Sequence, residues 1–239
     1  MNTKINKQDD VKTYWEQVAL SRWGTYTTEI EKQAILEAIE LAGRPSVALE
    51  VGCEGGRWSQ LLIELGWDMI CTDVNRNSLD ICQKRIPTAK CILVNPDEAR
   101  LSFEEKSLSL LLCVEVFEVI HSDWFIREAF RILKHDGVLV GVVHNKFSLR
   151  AIEHRIKRLI NRKKGIYGHY SYKHKYSKWK KELLYSGFNV LYEKGFCWLP
   201  FSRSSNFFLI PQLTKIEHFL GLRNLINLSP WIVFIARKV

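Results

Sequence analysis

Short apolar runs alternate with helical segments throughout residues 47–143, and this alternation restricts the fold more than any other feature of the sequence. The predicted strands are residues 47–51, 69–73, 91–94, 108–114 and 137–143. The predicted helices among them are residues 57–65, 78–85 and 123–133. Because parallel strands need crossover connections, usually helical, the pattern predicts an α/β protein with a mostly parallel sheet that helices cover on both faces.

Further elements are predicted on both sides of this region. Apolar residues recur at helical intervals over residues 11–41 and again over 149–160. A helix is predicted over 177–185, with Ser177 as its N-cap. Strands over 188–196 and 231–236 bring the sheet to seven strands. The expected architecture is a doubly wound sheet with an α-helical and aromatic cap inserted after the fifth strand.

Four segments follow from these predictions, and one of them carries the excess positive charge. They are an N-terminal helical lid (1–45), a ligand-binding core (46–145), a basic helical insert or cap (146–187) and C-terminal strands with an apolar insert (188–239). The formal net charge is +9, and residues 146–181 contain thirteen of the 35 Lys and Arg residues but only one acid, Glu153. The rest of the chain, with 22 basic and 25 acidic residues, is slightly negative.

The six cysteines, at positions 53, 71, 82, 91, 113 and 197, form no CxxC pair, and no histidines accompany them at zinc-ligand spacing. Free thiols in a reducing compartment are therefore expected, and no metal site. The N-terminus lacks the apolar core of a signal peptide, and no apolar run approaches the roughly 20 residues that span a bilayer. A cytoplasmic location is the expectation.

The junction after the first strand, L-E-V-G-C-E-G-G-R-W at 49–58, is the strongest candidate for a ligand site. Gly52 directly follows the strand, where the lack of a Cβ permits a sharp turn and a close ligand approach. Asp73 ends the second strand, and a carboxylate there can accept hydrogen bonds from a ribose diol. The dinucleotide fingerprint G-x-G-x-x-G fails, because Glu54 stands at its second glycine.

This junction resembles motif I of the class I S-adenosylmethionine-dependent methyltransferases of the type 11 kind, acid-x-G-x-G-x-G, with Glu54 replacing the middle glycine. The stretch V-F-E-V-I at 116–120 resembles the family's V-L-E-H-V, with Val119 in place of the usual histidine. The stretch R-I-L-K-H-D-G-V-L-V at 131–140 resembles its R-V-L-K-P-G-G-x-L-V turn. The resemblance implies a Rossmann-like fold, S-adenosyl-L-methionine as cofactor and S-adenosyl-L-homocysteine as product.

The resemblance also implies a set of cofactor contacts. Its members are Glu50, Gly52, Cys53, Gly56, Asp73, Val74, Asp97, Glu98, Cys113 and Tyr26. Within it, Glu50 is expected to hold the amino group of the cofactor and Asp73 the ribose. Aromatic residues of the N-terminal helix are either a lid over the pocket or packing against the sheet edge; the candidates are Tyr14, Trp15, Trp23 and Tyr26. Glu54 is either accommodated at the surface or weakens cofactor binding.

Methyl transfer from a sulfonium is an in-line displacement, so the protein mainly aligns the acceptor and manages any proton. His144, at the end of the fifth strand, is the first candidate for a general base, and His121 is the second. His169, Tyr170 and His174 in the insert are further candidates. The alternative for each histidine is a capping or hydrogen-bonding role.

The basic insert has three interpretations: a solvated lid, a surface attracted to an acidic substrate or an anionic membrane, and a nucleic-acid site. Residues 196–211 are strongly apolar, which favours a small or lipid-like acceptor and makes nucleic acid a less favoured partner. An RNA methyltransferase, a methyltransferase-like binding protein without catalysis and a reductase remain the alternatives, and the oligomeric state stays open.

Overall fold

The computed structural model describes residues 12–163, 172 and 174–239. Its strands are β1 (Val47–Val51), β2 (Asp68–Asp73), β3 (Lys90–Leu93), β4 (Leu108–Cys113), β5 (Leu133–His144), β6 (Phe188–Phe196) and β7 (Trp231–Lys238). Its helices are α1 (Tyr14–Ala19), α2 (Arg22–Ala42), α3 (Arg57–Glu64), α4 (Arg76–Arg85), α5 (Phe117–Ile120), α6 (Phe125–Ile132), α7 (Leu149–Lys163), α8 (Tyr176–Tyr185) and α9 (Ile210–Phe219). No described helix combines the length and the apolarity needed to cross a bilayer.

The seven strands form one sheet in the order β3-β2-β1-β4-β5-β7-β6. Strands β1 to β5 pair in parallel, and β7 runs antiparallel to both of its neighbours, β5 and β6. The predicted doubly wound, mostly parallel sheet is confirmed. The strand order reverses at β1, which pairs with β2 on one side and β4 on the other, and ligands bind at such a switch point in open α/β sheets.

The apolar runs form strands that are buried on both faces of the sheet. Leu110 and Leu112 of β4 pack into one core cluster, whereas Leu111 packs into the other, on the opposite face. All three side chains are fully buried. Alternate residues of a strand point to opposite faces, so an unbroken apolar run is what a strand between two helical layers requires.

The N-terminal region is two helices where the periodicity predicted one. The chain breaks between α1 and α2 at Ser21, whose Oγ accepts a hydrogen bond from Gly24 N at 2.9 Å and caps α2. A Cβ at Gly24 would lie 2.0 Å from Val18 O, so the two helices pack closely at this bend. Apolar periodicity does not report such a break, because the break depends on the cap at Ser21 and on close packing at Gly24.

Two predicted helix starts and one helix end are corrected. Ser177 lies inside α8 rather than at its N-cap; Lys175 is the N-cap, and Asn145 Oδ1 accepts from Tyr176 N at 3.3 Å. Helix α4 begins at Arg76, two residues early, because Asn75 caps it. Leu133, predicted as the last helical residue before the turn, is the first residue of β5 and pairs with Leu108.

The apolar insert between β6 and β7 contains regular structure that the sequence analysis left unassigned. Helix α9 is followed by two short 3-10 turns, Leu222–Asn224 and Ile226–Leu228. The insert lies against the N-terminal helices: Tyr26 OH of α2 donates to Glu217 of α9, and Trp23 N donates to Ser205 O at 3.1 Å. These contacts join α2, near the start of the described chain, to the insert that precedes β7.

Candidate functional site

A cavity of about 630 Å³ opens at the carboxyl ends of β1, β2 and β4. The turn after β1, the residues that follow β2 and the loop after β4 form most of its walls, and α1, the start of α3, Val94 and Arg203 also line it. This is the edge at which the strand order reverses. The fold therefore places the cavity where an open α/β sheet binds its ligand.

Gly52 makes the turn after β1. Its φ is +69°, and its N–H donates to Thr72 O at 2.8 Å. A Cβ at this position would lie 2.5 Å from Cγ2 of Val116, which belongs to the loop after β4. Glycine is required here for two reasons, since the backbone is left-handed and the two loops approach too closely for a side chain.

Asp73 places a carboxylate at the end of β2, facing the cavity. Its Oδ2 accepts from Glu54 N at 2.9 Å, and its Oδ1 accepts from Asn75 N at 2.8 Å. A carboxylate has about four acceptor positions, so two further hydrogen bonds from a ligand fit the same group. Two backbone N–H groups thus hold the Asp73 carboxylate in the cavity wall, and its role as a ribose-binding acid stays a prediction.

Glu50 is a buried acid in the cavity wall, only 4% exposed. Ser59 Oγ donates to its Oε2 at 2.5 Å. Burial, the dominant effect, raises the pKa of Glu50 to about 8. A cationic group in the cavity would favour the ionised carboxylate, so Glu50 suits an ammonium ligand.

Glu54 occupies the position at which the family motif has its middle glycine. Its φ is +48°, in the left-handed region that side chains disfavour. Its Oε1 accepts from Trp15 N at 3.2 Å, in the first turn of α1. The side chain therefore connects the turn after β1 to the helix above the cavity.

Replacing Glu54 with glycine is expected to change the free energy of unfolding by less than about 1 kcal/mol. Glycine adopts the left-handed conformation without the cost of roughly 1 kcal/mol that a side chain adds. Loss of the hydrogen bond from Trp15 N to the Glu54 carboxylate offsets this gain. The amides of α1 should exchange faster in hydrogen-exchange measurements, because the helix loses its link to the turn.

The matched control is Lys106→Gly, at an exposed residue whose φ is +52°. It relieves a similar backbone conformation without touching α1, so it should stabilise the protein by up to about 1 kcal/mol. Equal exchange of the α1 amides in both variants would show that Glu54 does not hold this helix.

An ion pair lines the other end of the cavity. Arg203 Nη1 donates to Glu115 Oε2 at 2.9 Å. The Arg203 guanidinium carbon lies 4.6 Å from the ring centre of Trp15 and 4.8 Å from that of Trp231. Trp15, Glu115 and Arg203 also border a second, smaller cavity of about 30 Å³.

Glu31 adds a buried acid next to the Arg203–Glu115 ion pair. Its carboxylate is buried beneath the smaller cavity, 3.6 Å from the Arg57 guanidinium. Burial and the neighbouring charge of Glu115 raise the pKa of Glu31 well above its usual value. Two acids and two guanidiniums thus border one small space between α1, α2 and the C-terminal insert.

The two candidate bases pack beside the cavity rather than in its lining. The His144 ring stacks on Phe117 at 3.4 Å, and His144 N donates to His121 Nε2 at 3.1 Å. Burial lowers the pKa of His121 to about 3, with a contribution from His174. His121 is therefore neutral at physiological pH, and the general-base roles of both residues stay predictions. His169 and Tyr170 lie outside the described residues.

The structure brings five of the predicted cofactor contacts to the cavity and places the others elsewhere. The five are Glu50, Gly52, Cys53, Asp73 and Val74. The others do not line it: Gly56 packs on Cys82, Asp97 and Glu98 are exposed, Cys113 is buried in β4, and Tyr26 bonds Glu217. Tyr14 and Trp15 line the cavity, whereas Trp23 packs against Phe201, so the lid and packing interpretations each describe part of the aromatic set.

Four cysteines gather behind the turn after β1. The sulfurs of Cys53, Cys71 and Cys82 all lie within 4.8 Å of one another, and Cys91 Sγ is 3.6 Å from Cys82 Sγ. All are free thiols. Sulfurs at this separation are within reach of one soft metal ion. The sequence spacing did not predict the cluster, because its members come from the turn, β2, α4 and β3.

Comparison with known proteins assigns the family. Residues 49–141 match the family model described as methyltransferase domain. The fold is shared with a putative S-adenosylmethionine-dependent methyltransferase from Listeria monocytogenes, with a TM-score of 0.61 and 12% identity over 89% of this chain and 98% of that one. Residues 49–141 therefore form a methyltransferase domain of the S-adenosylmethionine-dependent kind. The cofactor of this family is S-adenosylmethionine.

Two curated relatives match part of this chain. An uncharacterized methyltransferase-like protein of Schizosaccharomyces pombe is 27% identical over 106 residues, which are 44% of this chain and 40% of the relative. The ubiquinone biosynthesis O-methyltransferase of Pelagibacter ubique is 23% identical over 103 residues, which are 41% and 42% of the two chains. The match thus spans about two fifths of each relative's length.

The residues around the cavity fit the family's cofactor. The buried acid Glu50 suits its amino group, and the carboxylate of Asp73 suits its ribose diol. Gly52 lines the cavity, so the backbone of the turn is accessible to a ligand there. Sequence reasoning missed Glu115 and Arg203, which lie 88 residues apart and belong to no contiguous motif.

Proposed function

We propose that the protein transfers a methyl group from S-adenosylmethionine to a small or lipid-like acceptor. The observation that carries the proposal is one continuous cavity of about 630 Å³. The turn at Gly52 and the Asp73 carboxylate form one part of its wall, and Trp15, Glu115 and Arg203 form another. One part of this cavity suits the cofactor, and the other part remains for an acceptor. Alignment of two reactants in one site is the main contribution a protein makes to such a transfer.

Within this proposal the two acids hold opposite ends of the cofactor. Glu50 accepts from its amino group, and Asp73 accepts from its ribose hydroxyls. When bound, the cofactor supplies an activated methyl group on a positively charged sulfur. The protein's remaining tasks are to orient the acceptor and to exclude water, for which α1 is placed directly above the cavity.

The acceptor side favours an apolar molecule with one polar end. Trp15, Val116 and Val119 supply apolar and aromatic surface, and the Glu115–Arg203 pair supplies the polar contacts that orient a ligand. The similarity to a ubiquinone biosynthesis O-methyltransferase supports the same class of acceptor.

Binding is tested first, by calorimetric titration with S-adenosylmethionine. Replacing Asp73 with asparagine is expected to weaken the affinity roughly 5- to 150-fold, or about 1–3 kcal/mol, because an acceptor of the ribose hydroxyls is lost. The control is Asp80→Asn, at an exposed position on α4, which should bind like the unmodified protein. Unchanged affinity of Asp73→Asn would remove Asp73 from the site.

Transfer is tested next, with methyl-labelled S-adenosylmethionine and separate lipid, small-molecule and RNA extracts. Label in the lipid or small-molecule extract supports the proposal. Label in RNA alone contradicts the acceptor class, and binding without label in any extract favours a non-catalytic binding protein. Binding of a nicotinamide cofactor instead of S-adenosylmethionine would indicate a reductase.

A further inference from the structure

Helix α7 presents an apolar stripe to solvent. Its aliphatic side chains are exposed, with Leu149 at 71%, Ile156 at 53% and Leu159 at 63%, and Ile152 and Ile160 are exposed as well. At 3.6 residues per turn, these five side chains fall within an arc of about 100°. Exposed aliphatic residues in such a stripe are not explained by packing among the residues that the structure describes.

The opposite side of α7 anchors the helix to the protein. Ala151 is fully buried, and its N–H donates to Ser148 Oγ at 3.2 Å. Arg150 Nη2 donates to Phe201 O at 2.5 Å. Since Ala151 faces the core, the aliphatic stripe lies on the side of the helix that faces away from it.

A short aromatic segment adjoins the start of this helix. Phe207 and Phe208 are both exposed, and the Phe207 ring stacks on Phe201 at 5.7 Å. Phe201 is the residue whose carbonyl oxygen accepts from Arg150. We call the α7 stripe together with residues 207–209 the docking face.

Basic residues flank the docking face. Arg155, Lys157 and Arg158 lie outside the aliphatic arc on α7, and Glu153, which pairs with Lys157, is the only acid of residues 146–181. Exposed aliphatic and aromatic side chains bordered by positive charge match an anionic bilayer, which offers acyl chains and negative headgroups together. Nucleic acid offers the charge but leaves the aliphatic stripe without a partner.

We propose that the protein docks on anionic membranes through the docking face. None of the docking-face residues lines the cavity, so docking and methyl transfer are separable. A protein held at the bilayer in this way would meet apolar acceptors where they are dissolved. The occupant of the docking face is a lipid surface with negative headgroups, not a second protein.

The test is sedimentation of the full chain with vesicles of phosphatidylcholine alone and of phosphatidylcholine with phosphatidylglycerol. We expect at least tenfold stronger partitioning into the anionic vesicles, decreasing as salt is added. The double variant Ile156→Glu, Leu159→Glu should lose this binding at least tenfold. Both residues are exposed, so circular dichroism and S-adenosylmethionine affinity should stay unchanged.

The matched control is Leu65→Glu, Val239→Glu, which adds the same charge at exposed apolar positions. Leu65 follows α3 and Val239 follows β7, both at the amino edge of the parallel strands, opposite the cavity. This control should bind vesicles nearly as the parent does. Equal binding to both vesicle types, or equal loss in both double variants, would overturn the proposal, as would RNA binding without vesicle binding.

Discussion

Replacing Gly52 with alanine is expected to weaken binding of S-adenosylmethionine at least tenfold, about 1.4 kcal/mol. A left-handed alanine costs roughly 1–2 kcal/mol, and Gly52 has a φ of +69°. The added Cβ would also lie 2.5 Å from Val116 Cγ2, so the turn or the loop after β4 must move. Both segments line the cavity, and calorimetric titration together with denaturant unfolding measures the two effects.

Two further variants separate backbone strain from the close contact. Gly221→Ala has a similar left-handed φ of +66°, and its Cβ would make only an ordinary contact, 3.9 Å from Asn224 Nδ2, so it should lose roughly 1–2 kcal/mol of stability and no affinity. Val116→Ala combined with Gly52→Ala removes Cγ2 and should restore part of the affinity. If the combined variant binds no better than Gly52→Ala, the contact with Val116 does not shape the site.

Glu50 is expected to make the cofactor-free protein less stable as the pH rises from about 5 to about 8. Its pKa is raised from 4.5 to about 8 in the folded protein. Over this range the unfolded chain releases a proton that the folded protein keeps, so the free energy of unfolding falls with pH. The fall is at most about 5 kcal/mol. Glu50→Gln should remove the part of the fall that Glu50 causes, measured by urea unfolding at several pH values, and leave the part that Glu31 causes, because the pKa of Glu31 is also raised.

Two comparisons test this assignment. Glu64→Gln, at an exposed position on α3, should leave the pH dependence unchanged. Saturating S-adenosylmethionine should reduce the fall in the parent protein, because an ammonium group beside Glu50 favours its ionised form. A stability profile of Glu50→Gln that parallels the parent between pH 5 and 8 would assign the titration to another group.

The sequence predicts the sheet well and brings five of the ten predicted cofactor contacts to the cavity wall, because these features depend on local pattern. Apolar runs report strands buried on both faces, and Gly52 and Asp73 each end a strand at the edge where parallel strands meet. The break at Ser21 is invisible to periodicity, because the close approach of Gly24 to Val18 is a packing effect.

The cavity wall formed by Trp15, Glu115 and Arg203 is not predicted by the sequence, because it is assembled from distant segments. Arg203 reaches Glu115 across 88 residues, and Trp15 approaches from α1. A predicted contact that is displaced by a few residues near a strand end names the wrong side chain. Cys113 is buried within β4, whereas Glu115 and Val116, just beyond it, line the cavity. In the same way, Val94 lines the cavity after β3 but Asp97 does not.

The contribution of Arg203 to the cavity divides the work of the site between two parts of the chain. The cofactor wall is built from residues inside the 49–141 domain, while this guanidinium arrives from the insert between β6 and β7. A substitution in that insert can reshape the wall formed by Trp15, Glu115 and Arg203 without moving Gly52 or Asp73. Under the proposed function, residues 197–209 are therefore the place to engineer acceptor preference while binding of the methyl donor is retained.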